Sequence, residues 1–104
     1  MGLRFQVLGT SSSGNCALIE TDKTRILLDA GFSGRRLEAM LQRIGKPLET
    51  IDAVFLTHEH SDHIAGVRGL SRHRHLAFYA NYGTAEVTQS RQSRELPWRV
   101  FETG

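Results

Sequence analysis

Apolar and polar positions alternate through LRFQVLG (Leu3–Gly9), the two-residue period of a strand with one buried face. TSSSGN (Thr10–Asn15) breaks the pattern and reads as a polar loop, either one that offers N–H groups and hydroxyls to a phosphate or a plain turn in which Gly14 supplies a positive φ. CALIE (Cys16–Glu20) and RILLD (Arg25–Asp29) are apolar runs joined by TDKT, which predicts a hairpin. AGFS (Ala30–Ser33) then interrupts the strand pattern. Beyond Ser33, a good N-cap, the apolar positions Leu37, Met40, Leu41 and Ile44 move to helical spacing. Gly45 and Pro47 are expected to stop that helix. AVFLT (Ala53–Thr57) predicts a short buried strand. IAGVRGLSRHR predicts a short helix weakened by Gly66 and Gly69. LAFYA (Leu76–Ala80) predicts a strand, GTAEVTQSR (Gly83–Arg91) a helix, and LPWRVFETG (Leu96–Gly104) a last strand. Strands alternating with helices imply the α/β class, and no linker divides residues 1–104, so one domain is expected.

Composition narrows this only a little. The chain has 104 residues, 39% hydrophobic and 23% charged, an ordinary globular balance. A net charge of +2 is no nucleic-acid signature by itself, but the basic excess is local. From Arg68 to Arg99 there are six arginines and two acids, Glu86 and Glu95. Cys16 is alone, so no intrachain disulfide can form, which fits a reducing cytoplasm. No apolar run approaches membrane-spanning length.

One stretch changes the picture. FLTHEHSDH (Phe55–His63) puts three imidazoles and two carboxylates into six residues at the end of an expected strand. Neutral imidazole and carboxylate are good ligands for a divalent metal. If the chain leaves the strand as a loop, His58 and His60 fall on one side, while Asp62 and His63 turn toward another point. One ion could hardly take all four without a contorted backbone. Two adjacent ions could, and such pairs clamp an oxyanion and activate water. Glu59 and Ser61 would point away. The blander reading is a set of solvated loop residues, and the spacing H-x-H-x-D-H weighs against it.

THEHSDH (Thr57–His63) resembles the H-x-H-x-D-H signature of the metallo-β-lactamase superfamily, and LLDAG (Leu27–Gly31) is similar to the strand-end motif that precedes it. SSSGNCALIE (Ser11–Glu20) and FLTHEHSDHIAGV (Phe55–Val67) resemble one branch more closely, the YycJ/WalJ-like proteins, described as nucleases or phosphodiesterases. The resemblance implies an αββα sandwich, of which this chain would be the N-terminal half: a mixed sheet with helices on one face. It implies two divalent metal ions, usually zinc, with manganese the alternative. His58 and His60 would ligate the first ion and Asp62 and His63 the second, with Asp62 also the catalytic residue. Asp29 would support the site by orienting a ligand histidine. Its blander role is a capping aspartate in a turn. Asn15 is the residue of the Ser/Gly loop expected to face the site.

The chain also departs from the family. A third histidine, a bridging aspartate and a final histidine come from the second half of family members, and none can be placed here, so a truncated chain is expected. His73 and His75 read as surface residues rather than substitutes. Arg68, Arg72, Arg74, Arg91 and Arg94 could contact phosphates, although a solvated helix face is the plainer explanation. Trp98, Phe101, Tyr79 and Tyr82 read as core or sheet-packing residues, and Cys16 as buried filler. Half of a two-sheet sandwich leaves an apolar sheet face bare, and a symmetric homodimer would cover it. The expected function is a metal-dependent cytoplasmic hydrolase of phosphodiester bonds in nucleic acid. Thioester or acyl hydrolysis, or a non-catalytic metal-binding module, are the alternatives.

Overall fold

The computed structural model describes residues 2–11, 14–58, 64–92 and 95–101. Six strands form one sheet: β1 (Arg4–Ser11), β2 (Gly14–Glu20), β3 (Arg25–Leu28), β4 (Ala53–Phe55), β5 (Ala77–Ala80) and β6 (Trp98–Val100). Their order in the sheet is their order in the chain. β1, β2 and β3 are antiparallel, and β3 through β6 are parallel. Parallel neighbours need crossovers. α1 (Gly34–Arg43) and a 3-10 turn (Leu48–Thr50) make the first, α2 (Val67–Leu70) the second and α3 (Tyr82–Ser90) the third. The sheet is therefore mixed, as expected from the sequence.

Register divides the side chains between two faces. Leu18 pairs with Leu27, Leu27 with Val54, and Val54 with Phe78, so all four share one face. Each is no more than 1% exposed and packs with Leu37 and Leu41 of α1, Leu70 of α2 and Ala85 of α3. The helices therefore lie on that face. The opposite face carries Phe5, Val7, Ile19, Ile26, Leu28, Phe55 and Tyr79, by the same register. Phe5 and Val7 remain 59% and 53% exposed there, and Phe101 beside it 37%.

Several boundaries move. The polar loop expected over Thr10–Asn15 is shorter, because β1 runs to Ser11 and β2 begins at Gly14, with a bulge between Val7 and Gly9. Gly14 opens β2 rather than sitting within a turn. The reason for a glycine there is steric: an added Cβ would lie 2.5 Å from the Phe32 ring. Ser33 does cap α1, its hydroxyl accepting from Arg36 N at 3.3 Å. The aromatic residues are not all packing residues. Trp98 and Tyr79 are partly buried, but Tyr82 is 68% exposed and Phe101 is also exposed.

Candidate metal centre

In a sheet with parallel strands, chemistry collects where the strands end at their carboxyl edge. Asp29 follows β3 directly and Thr57–His58 follow β4, so both stand at that edge. β2 runs the other way, and its second residue, Asn15, joins them: its carbonyl accepts from Gly31 N at 2.9 Å. The structure thus brings Asn15, Asp29 and His58 to one edge.

Asp29 adopts φ +65°, a left-handed conformation that aspartate tolerates better than most residues. This turns its side chain across to the next strand. Its N–H donates to Phe55 O at 2.7 Å. Its Oδ1 accepts from Thr57 N at 2.8 Å and its Oδ2 from Thr57 Oγ1 at 2.7 Å. Asp29 is 6% exposed, so these bonds offset the cost of burying a carboxylate. Thr57 Oγ1 also lies 2.9 Å from His58 Nδ1. The hydroxyl has one proton, and Asp29 takes it. His58 Nδ1 must then be the donor toward Thr57, which leaves the lone pair of the neutral ring on Nε2. Carboxylate, hydroxyl and imidazole form a line that fixes the tautomer of an exposed histidine. This is the arrangement that holds a metal-ligating histidine, and it fits a divalent cation.

Thr57 ends an expected strand and opens THEHSDH, but the sequence alone gives it no role of its own. The available signal was a hydroxyl directly before the first histidine of a candidate cluster. His60, Asp62 and His63 lie outside the described residues. Among the described residues no group of three or more His, Cys, Asp or Glu could hold a metal. The segment that follows is anchored to the same edge: Gly66 N donates to Ala30 O at 2.6 Å. An added Cβ on Gly66 would stand 2.3 Å from Phe32 O, so only glycine allows this approach.

Two other residues need placing. Cys16 is buried behind the edge, and its thiol is pushed up to about 12, first by burial and then by the charge of Asp29. It is inert packing. His73 and His75 lie on the surface at the far end of the α2–β5 connection. His75 Nε2 meets Leu48 O at 3.2 Å, and His73 is 3.9 Å from Glu38.

The chain resembles several known proteins in sequence and in fold. The chain is 40% identical over 90 residues to the exodeoxyribonuclease WalJ of Streptococcus pneumoniae, covering 86% of this chain and 34% of that one. It is 42% identical over 84 residues to the exodeoxyribonuclease YycJ of Bacillus anthracis, covering 81% and 32%. It therefore spans about a third of the length of these relatives. A B3 metallo-β-lactamase with an active-site glutamic acid superposes with a TM-score of 0.79 at 19% identity, over 94% of this chain and 42% of that one. That likeness concerns the fold alone. Residues 9–100 match the profile of the metallo-β-lactamase superfamily, and the chain belongs to it.

Proposed function

We propose that this chain carries the first part of a dinuclear metal site in a hydrolase that cleaves phosphodiester bonds of nucleic acid. The observation that carries the reading is the Asp29–Thr57–His58 line, which prepares a histidine Nε2 at the sheet edge where H-x-H-x-D-H begins. The choice of nucleic acid is supported by the relatives named exodeoxyribonuclease.

In this reading His58 and His60 hold one ion and Asp62 and His63 the other, zinc being the first choice and manganese the second. Bound metal would supply Lewis acidity and a water of lowered pKa. The protein does the rest. Asp29, through Thr57, keeps His58 in the ligating tautomer. Asp62, besides ligating the second ion, would help position the attacking water. Asn15 lines the edge. Exposed Arg68 and Arg91, which share one shallow surface with Ile64, would neutralise neighbouring phosphates, whereas Arg72 and Arg74 flank His73 away from the centre.

Among the described residues no helix is long and apolar enough to cross a membrane. The free thiol of Cys16 supports a cytoplasmic setting.

The test is to load the longest natural form of the protein with zinc or manganese. It is then assayed on single- and double-stranded DNA, beside a thioester and a β-lactam. Cleavage of DNA, abolished by Asp62→Asn with the fold retained, is the expected result. Turnover of the thioester or lactam alone would overturn the reading.

A further inference from the structure

Tyr82 is an exposed aromatic residue at the candidate centre's edge of the sheet. Phe55 and Tyr79 are register partners on β4 and β5, and Leu56 N donates to Tyr79 O at 2.9 Å. Two residues after β5 ends, Tyr82 opens α3, as His58 follows β4 by three. Tyr82 and His58 therefore leave adjacent parallel strands at the same, carboxyl, edge of the sheet.

The side chain is 68% exposed, although Tyr79, three residues earlier, is stacked on Phe55 at 4.4 Å between ring centres. Two features hold it ready. Asn81 caps α3, its Oδ1 accepting from Thr84 N at 2.8 Å, which fixes the helix start and the Cα–Cβ direction of Tyr82. The phenol O–H donates to Glu86 Oε2 at 3.0 Å, one helical turn on. That bond also raises the phenol pKa, so the ring stays neutral. Gly83 beside it has no Cβ, and an added one would meet only Asn81 Oδ1, at 3.8 Å. The ring thus presents an open face, and the carboxylate at its hydroxyl end repels phosphate from that end. A neutral, flat, apolar group suits it: a nucleobase.

We propose that Tyr82 is a substrate-positioning residue, on which the base of a nucleotide next to the scissile phosphate stacks. The inference rests on the nucleic-acid reading above. Stacking of a base on an aromatic side chain is sequence-tolerant and contributes about 1–3 kcal/mol per base. Phosphate contacts alone would leave the strand free to roll. A stacked base fixes its register against the centre.

The experiment uses the full natural chain with zinc or manganese, as wild type, Tyr82→Phe and Tyr82→Ala. The substrates are single-stranded oligonucleotides, one intact and one abasic at the nucleotide beside the scissile bond. Tyr82→Ala is expected to raise KM for the intact strand about tenfold, with kcat within about twofold, and to leave the abasic strand unchanged. Tyr82→Phe should behave as wild type. Equal KM for Tyr82→Ala and wild type on the intact strand overturns the proposal, as does an equal loss on both strands. Should wild type cleave neither strand, binding is measured instead, by anisotropy of a labelled strand. Weaker, base-dependent binding by Tyr82→Ala then supports the stacking role while the hydrolytic reading falls. No base-dependent difference, or no binding by wild type, overturns both.

Discussion

Thr57 joins the two halves of the described centre, because its one hydroxyl proton and one lone pair serve Asp29 and His58 together. Valine has the same shape and neither capacity. Thr57→Val keeps the backbone bond to Asp29 Oδ1 but releases the imidazole to either tautomer. Loss of such support typically weakens metal binding 10–100-fold. Calorimetric zinc titration of the full-length variant should show a fall of about that size, and Thr57→Ser should restore affinity. Glu20, at the other end of β2, makes an independent prediction. It is buried among Lys46, Arg25 (2.6 Å) and Arg4 (3.3 Å), whose hydrogen bonds lower its carboxyl from 4.5 to about 2. A depressed carboxyl means that the unfolded chain takes up the proton first as pH falls. The stabilisation is thus complete above about pH 4.5 and is lost progressively toward pH 2. Urea midpoints measured across that range should fall with pH for wild type and fall less for Glu20→Gln.

Elements show where a single chain is legible. α1 was, because Leu37 and Leu41 repeat at helical spacing behind a residue whose side chain can cap. Ser33→Ala should cost about 1 kcal/mol, read as a shift of the urea midpoint with unchanged slope. The strands were legible as apolar runs, but their ends were not. β4 stops at Phe55 rather than Thr57, because Thr57 N turns to Asp29 Oδ1 instead of a ladder partner. Asp29's positive φ, which enables that bond, leaves no trace in LLDAG. Gly66 looked like a helix weakener, yet its lack of a Cβ allows the α2 entrance to lie against Ala30 and Phe32. Gly66→Ala must push Phe32 O away, and overpacking of this kind costs about 1–3 kcal/mol. Because Gly66 closes the segment that starts at His58, the same variant should lose metal affinity as well as stability. The Glu20 cluster was invisible, since Arg4, Arg25 and Lys46 meet it from three separate segments. Tyr82 was misread because an aromatic after an apolar strand looks like packing, and only the turn into α3 puts it outside.

At the scale of the molecule, one sheet face is packed by three helices and the other presents Phe5, Val7, Phe55, Tyr79 and their neighbours. Phe55 also stacks near Phe101 at 6.2 Å, so the apolar strip continues toward β6. Contiguous apolar surface of this kind rarely stays in contact with water. In longer relatives there is further chain beyond the part that matches. Residues 1–104 produced alone have only each other. We expect them to self-associate through this face, with an apparent mass in light scattering above the 11.7 kDa of one chain and rising with concentration. Phe5→Lys combined with Val7→Lys puts two charges on the most exposed part of the strip without touching the helix-side core. That variant should scatter as a smaller species with unchanged circular dichroism. The outcome also bears on the metal. In the proposed dinuclear reading, four ligands from one chain cannot complete two coordination shells. Residues 1–104 should therefore bind zinc more weakly than a full-length relative such as WalJ, in both the associated and the dissociated form. Two tight zinc sites per chain in the lysine variant would show that the described edge, with residues 59–63, is sufficient on its own.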